Sequence, residues 1–217
     1  SMGAKLKVVY GGSQSDRVRG EIASFARAAW AKNKLSHSRV GIFGYADMGS
    51  YTAAFDQTSL RSRLGVEVED YEVHRLLSRA DEVSDEEVNA IISTQIGEWK
   101  LDENVAKEDL RKAIRIYLAL ERIVDERRFN AVSMKCVYGL PIYYGITPCV
   151  PLALIGARIP IVCESDTLGL VTELAMDYVS GQRSVYLELY DIFDDRILMG
   201  VCGMMPQPAL DEAPRLY

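Results

Sequence analysis

Two acidic residues stand one residue apart at the end of an apolar run, in the stretch IPIVCESDTLG that covers residues 159–169. Residues i and i+2 of an extended segment point to the same side, so Glu164 and Asp166 can share one face about 7 Å apart. Two carboxylates that converge in a cleft repel each other, which raises the pKa of one or recruits a cation. A hard divalent ion such as Mn²⁺ or Mg²⁺ suits these oxygen ligands.

The same stretch also has a purely structural interpretation. Ser165 or Asp166 can cap the helix that the pattern predicts from Thr167 onward, which would leave Glu164 in solvent. Capping is the commonest use of such residues immediately before a helix. The spacing alone therefore favours the cap over a cation site.

Further residues with chemical potential lie in two loops that follow predicted strands. Lys135 and Cys136 end one strand, where the lysine could hold an anionic or hydroxyl-rich ligand, although a snorkelling lysine and a packed cysteine are the preferred interpretation. The loop YGLPIYYG, which begins at Tyr138, offers aromatic rings for a sugar or for a neighbouring subunit. Met48 follows another strand and could line a pocket or fill the core.

Strand and helix patterns alternate along most of the chain, which predicts an α/β fold. We expect an open, mostly parallel, Rossmann-like sheet in three layers, with helices on both faces. Ligands of such sheets bind beyond the carboxyl ends of the strands. The loops expected at that edge span residues 45–50, 137–147 and 164–167.

The end of the chain departs from this alternation because two consecutive strands are predicted, at residues 184–192 and 196–203. We therefore expect a central α/β domain over residues 1–180 and the start of an incomplete C-terminal domain over residues 181–217. The opening residues Ser-Met-Gly are interpreted as a cloning scar.

Composition excludes several classes of protein. With a net charge of -6 and no cluster of basic residues, the 217-residue chain is not expected to bind nucleic acid. No apolar run is long enough for a membrane span, and no signal peptide is visible, so a cytoplasmic protein is expected. Four cysteines without a CxxC pair favour reduced, buried thiols over disulfides or a zinc site.

Two parts of the sequence resemble a known family. Residues 129–206, with NAVSMKC, the long run from GITPCVP through CESDTLG to DYVSGQ, and MGVCGMMP, are similar to L-fucose isomerase-like proteins of the L-fucose/L-arabinose isomerase superfamily. Residues 5–77, with KVVYGG, RVGIFGYADMGSYTAAFD and RSRLGVEVEDY, more loosely resemble the middle domain of arabinose isomerases.

The resemblance implies a metal-dependent aldose–ketose isomerase that acts through an enediol intermediate. It implies Mn²⁺ or another divalent cation, a sugar substrate and a homo-oligomer. Glu164 and Asp166 match the acidic motif that holds the metal and moves the proton, so the resemblance reverses the preference for a cap. It also places Met48 in the sugar pocket, and it leaves Lys135 and Tyr138 to shape specificity.

The sequence departs from the family at two positions that matter for catalysis. Residues 132–159 contain no Asp or Glu, whereas the isomerases supply a further acid there. Val201 stands where many relatives have a histidine before Cys-Gly. Family members are also longer at both ends, so we expect the chain by itself to be inactive. The alternative is a non-catalytic carbohydrate-binding or oligomerisation domain derived from the same scaffold.

Overall fold

The computed structural model describes residues 5–45, 53–203 and 205–216 of the chain. Its strands are β1 (Arg39–Phe43), β2 (Glu67–Tyr71), β3 (Lys100–Leu101), β4 (Ala131–Met134), β5 (Ile161–Cys163), β6 (Glu188–Ile192), β7 (Ile197–Gly200) and β8 (Arg215–Leu216). Its α-helices are α1 (Asp16–Ser36), α2 (Gln57–Leu64), α3 (Val73–Asp81), α4 (Asp85–Ile91), α5 (Lys107–Arg127), α6 (Gly139–Tyr143), α7 (Cys149–Ile155) and α8 (Thr167–Ser180).

The centre of the fold is a four-stranded parallel sheet in the order β2-β1-β4-β5. Helices separate the successive strands, as parallel connections require. This arrangement confirms the predicted α/β fold with a mostly parallel sheet and helices on both faces.

Side chains alternate between the two faces of the sheet, and each face has its own apolar core. Val40 and Ile42 of β1 pack on one face with residues of α1, α2 and α8. Phe43 at the end of β1 packs on the other face with residues of α3, α5 and α7. Strands buried on both sides explain why the sequence shows short apolar runs here instead of half-polar alternation.

Several helix ends follow their local sequence signals. Ser84 and Glu87, in the order Ser-x-x-Glu that is typical of a capping box, form one at the start of α4. Gly65 ends α2 with φ 81°, a left-handed conformation that glycine adopts without steric cost. A Cβ at this position would also lie 2.7 Å from Cβ of Ser36, so the close approach of α1 requires glycine as well.

Helix α1 is only partly buried, which differs from its apolar pattern. The pattern predicts one stripe through Val18, Ile22, Phe25, Ala26 and Ala29, yet Ile22 and Phe25 are 55% and 41% exposed. Of its three buried residues, Ala31 and Leu35 lie in the last turns, where Leu35 joins the core cluster of Val40 and Trp30 packs edge-on against Tyr178 of α8. Most of the predicted stripe therefore faces away from the sheet.

The chain after α8 forms two small elements outside the main sheet. Strands β6 and β7 pair in an antiparallel hairpin, and β8 returns to pair with β3. The division at residue 180 into two domains stays a prediction. No helix in the described ranges has the length and apolarity needed to cross a membrane.

Candidate functional site

The predicted site residues follow strands that are neighbours in the sheet. Lys135 and Cys136 come directly after β4, and Glu164 comes directly after β5. Because β1, β4 and β5 are parallel and adjacent, their carboxyl ends meet at one edge. Met48 lies outside the described residues, so its place in a pocket stays a prediction.

Two thiols and one carboxylate come together at this edge. One ligand atom each of Cys136, Cys163 and Glu164 lies within 4.8 Å of the other two. We call these three residues the thiol–carboxylate cluster. Sheet register brings the two thiols together: Met134 is paired with Cys163, and Cys136 follows two residues later and packs against the same apolar core as Cys163.

An unusual backbone turn separates the two acids of the CESD stretch. Glu164 and Ser165 both have positive φ, at 62° and 57°. Residues other than glycine adopt this left-handed region at a cost, and such strained positions cluster at active sites and ligand-binding segments. The hydroxyl of Ser165, between the two acids, is buried without a hydrogen-bond partner. The turn leaves the carboxylate of Glu164 beside the thiols, while Asp166 is directed to the following helix.

Asp166 caps helix α8. Its carboxylate accepts a hydrogen bond from the backbone N–H of Gly169 at 2.9 Å and one from the hydroxyl of Tyr186 at 3.4 Å. A Cβ at Gly169 would lie 2.5 Å from Oδ2 of Asp166, so a larger residue there would displace the capping carboxylate. The capping alternative is therefore the geometry observed. The predicted role of Asp166 in metal binding or proton transfer stays a prediction.

The two thiols of the cluster have opposite acidities. A hydrogen bond from the thiol of Cys163 lowers the pKa of Cys136 to about 7, against the opposing effect of burial. The pKa of Cys163 is raised, first because its thiol proton is held in that hydrogen bond and then because the residue is buried. Cys136 therefore ionises first and is the better ligand and nucleophile of the pair.

The remaining two cysteines lie close by. Cys149, at the start of α7, and Cys202, after β7, line one cavity of about 400 Å³. A Cβ at Gly203 would lie 3.2 Å from Sγ of Cys149. All four cysteines carry free thiols, as expected, but of the four only Cys163 is fully buried and Cys202 is exposed.

Lys135 lies at the same edge in a confined position. Its side chain is only 6% exposed, and its ammonium lies 4.3 Å from the centre of the Tyr45 ring, a cation–π contact. At Gly44, which has φ 97°, a Cβ would lie 2.9 Å from Cβ of Lys135. The lysine is thus held inside the fold, where the sequence alone favoured a snorkelling residue.

The aromatic loop lies further out. Tyr138 is 57% exposed and has φ 70° at the start of the short helix α6. Its predicted contact with a sugar stays a prediction. The two histidines of the sequence, His37 and His74, are both exposed.

The sequence did not lead us to predict Cys163 as a site residue. Its strand is a short apolar run, and a cysteine there is usually core packing. The signal that could have found it is its position: Cys163 and Cys136 both stand at the carboxyl ends of predicted parallel strands. Their register decides whether they meet, and register is not readable from an apolar run.

The cluster can be tested against the ion that the resemblance implies. Cys136, Cys163 and Glu164 form a group that could hold a metal ion, with two sulfur atoms and one carboxylate. Mn²⁺ prefers carboxylate, carbonyl and water oxygens, whereas thiolates select softer ions. These three residues therefore do not fit Mn²⁺, although they fit a metal ion of another kind.

Comparison with known proteins gives a consistent family signal. Residues 49–141 match the family model for the L-arabinose isomerase central domain. This match includes Lys135, Cys136 and Tyr138, and it ends before Glu164.

The curated relatives described here are all sugar isomerases. The chain is 28% identical over 132 residues to an L-arabinose isomerase of Acidothermus cellulolyticus, and this alignment covers 58% of this chain and 26% of the relative. It is 25% identical over 170 residues to a sulfoquinovose isomerase of a Clostridium species, and this alignment covers 77% of this chain and 38% of the relative. An L-arabinose isomerase of a Nocardioides species is 29% identical over 137 residues, covering 61% and 27%.

These alignments span only about a quarter to two fifths of the length of the relatives. Within that span, the family match and the relatives agree on one group of enzymes. The comparisons support a relationship between this chain and the L-arabinose isomerase family.

Proposed function

We propose that the chain is the central part of a sugar isomerase, which interconverts an aldose and a ketose. Similarity to L-arabinose and sulfoquinovose isomerases supports the reaction class. The observation that carries the proposal is the position of Glu164, at the sheet edge where ligands of such folds bind.

The reaction needs a base that can take and return one proton. In our proposal the carboxylate of Glu164 removes the proton from C2 of the aldose, and the C–H electron pair forms the C1=C2 bond as the C1=O π pair moves onto O1. O1 takes the proton of the C2 hydroxyl, which gives the enediol in its ionised form with the charge on O2. The C2=O bond then forms while the C1=C2 pair takes the same proton back from Glu164 to C1, which gives the ketose without oxidant or reductant. Lys135 would bind sugar oxygens, and Tyr138 would lie against the ring.

Isotope exchange tests the proposal on the full-length protein. Samples of L-arabinose, sulfoquinovose and L-fucose are incubated in D₂O, and NMR follows ketose formation and deuterium at C1 and C2. Glu164→Gln should lower the rate at least about 100-fold, the usual contribution of a general base. Glu86→Gln, an exposed acid in α4, is the matched control and should keep the rate. Turnover that survives Glu164→Gln contradicts the assignment.

The alternative is a non-catalytic carbohydrate-binding or oligomerisation domain on the same scaffold. It is favoured by the absence of Asp and Glu from residues 132–159 and by Val201 in place of the family histidine. The same samples separate the two functions. Saturable sugar binding by calorimetry, with neither ketose nor deuterium incorporation, supports the binding domain.

We also propose that the protein self-associates and works in the cytoplasm. Free thiols at all four cysteines support a reducing compartment. Large exposed apolar side chains on β6 and β7, among them Leu189, Ile192 and Ile197, support contact with a second copy.

A further inference from the structure

We infer that Cys136, Cys163 and Glu164 bind a thiophilic divalent cation, with Zn²⁺ the best fit, in place of the Mn²⁺ that the resemblance implies. The inference concerns the same carboxylate as the proposed function. It does not depend on turnover, because it is tested by metal binding alone.

The spacing of the three donors suits one small ion. Zn²⁺ binds thiolates at about 2.3 Å and carboxylate oxygens at about 2.0–2.2 Å, so tetrahedral ligands stand roughly 3.5–3.8 Å apart. The donor atoms of the cluster already lie within 4.8 Å of one another. A side-chain adjustment of about an ångström therefore closes the site around the ion.

The backbone holds these donors in place without the metal. Cys163 is 2% exposed in β5, and Met134, its partner in the β4–β5 pairing, lies two residues before Cys136. Glu164 follows Cys163 directly and keeps a positive φ of 62°. A donor set prepared by strand register loses little conformational entropy when it binds an ion.

The chemistry of the donors decides which ion is preferred. Two sulfur donors and one carboxylate favour Zn²⁺, Fe²⁺ or Co²⁺ over Mn²⁺ or Mg²⁺. Three protein ligands also leave a fourth position of a tetrahedral ion for water or a substrate oxygen, which is the pattern of reactive zinc sites. The thiols of Cys149 and Cys202 lie nearby, but they are outside the group of three donors that lie within 4.8 Å of one another.

Cobalt is the probe for the experiment. The reduced, chelator-treated chain is titrated with Co²⁺ and then with Zn²⁺ under anaerobic conditions. We expect a thiolate-to-cobalt charge-transfer band in the near ultraviolet, visible bands of tetrahedral Co²⁺, and displacement by one equivalent of Zn²⁺. A hundredfold excess of Mn²⁺ should leave the spectrum unchanged.

Variants identify the ligands. Loss of an outer partner of a metal ligand already costs about 10–100-fold in affinity, so Cys136→Ser and Glu164→Gln should each weaken Zn²⁺ binding at least about tenfold. Cys163→Ala should remove the charge-transfer band or reduce it strongly. Cys202→Ser, the matched control, should bind within about twofold of the unchanged chain. Circular dichroism verifies the fold of each variant, and Cys136→Ser changes one atom at a residue that is only half-buried.

Several outcomes would overturn the inference. These are the absence of a charge-transfer band, an equal affinity in Cys136→Ser and the unchanged chain, or displacement of Co²⁺ by Mn²⁺. A failed isomerase assay with intact Zn²⁺ binding would remove the proposed function and leave this site. Isomerase activity together with an unchanged Zn²⁺ affinity in Cys136→Ser would remove this metal site and leave the proposed function.

Discussion

At the scale of single residues, three buried or half-buried acids of this protein lie in different environments. Glu164 lies beside two thiols, Asp166 caps a helix, and Glu173 is buried in α8 without a hydrogen-bond partner for either carboxylate oxygen. Burial raises the pKa of Glu173 to about 7, and the charge of Asp177 adds to the effect. The surroundings of Glu173 therefore keep part of its carboxyl population protonated near neutral pH.

Glu173 makes stability depend on pH in a defined direction. Below pH 4.5 the carboxyl group is protonated in both states and adds no pH dependence. As pH rises from 4.5 through about 7, the unfolded chain releases its proton first, so stability falls, and the loss is complete above about 7. The difference between the two pKa values corresponds to a loss of up to about 3 kcal/mol.

Glu173→Gln should therefore raise the free energy of unfolding by about 1–3 kcal/mol at pH 8 and leave it nearly unchanged at pH 4.5. Urea unfolding followed by circular dichroism at both pH values measures the change. Glu103→Gln, an exposed acid before α5, is the control and should shift neither value by more than about 0.5 kcal/mol. An equal gain at both pH values would exclude ionisation of Glu173 as the cause.

At the scale of elements, the start of α8 separates the two interpretations of the acidic pair. Asp166→Ala removes the cap and should lower the free energy of unfolding by about 1 kcal/mol, the usual cost of a lost N-cap. Asp166→Asn keeps an acceptor for the N–H of Gly169 and should retain most of the stability. Urea unfolding of both variants and of the unchanged chain measures these differences in the free energy of unfolding.

Metal binding by the Asp166→Asn variant distinguishes a cap from a metal ligand at this position. If Asp166 acts only as a cap, Asp166→Asn should bind Co²⁺ with the unchanged spectrum. A lost or altered spectrum in a folded Asp166→Asn chain would make Asp166 a ligand, as the resemblance implies.

Elements with strong local signals were predictable from the sequence, whereas contacts between elements were not. The capping box at Ser84 and the left-handed end at Gly65 depend on neighbouring residues, so local sequence specifies them. The exposed side of α1 has an equally clear apolar pattern, but its burial depends on what lies opposite. The meeting of Cys136 and Cys163 depends on strand register and could not be derived from either strand alone.

At the scale of the whole molecule, the parallel sheet and the β6–β7 hairpin differ in how they are supported. The central strands are buried by helices on both faces, whereas Leu189, Ile192 and Ile197 of the hairpin are 56%, 68% and 58% exposed. A two-stranded hairpin without a covered face is marginally stable in water. Local stability should therefore fall steeply from the sheet to the hairpin.

Hydrogen exchange read by mass spectrometry tests this difference. Amides of residues 188–200 should exchange at least about a hundredfold faster than those of β1 and β4 in a dilute sample, because hairpin opening does not require global unfolding. If a second copy covers the hairpin, protection of these amides should rise with protein concentration, together with the mass measured by light scattering. Ile192→Lys should abolish this rise, while Ile22→Lys on α1, where the side chain is 55% exposed, should leave it. A monomer mass at all concentrations, with hairpin protection equal to that of β1, would contradict both the weak hairpin and the self-association proposed from it.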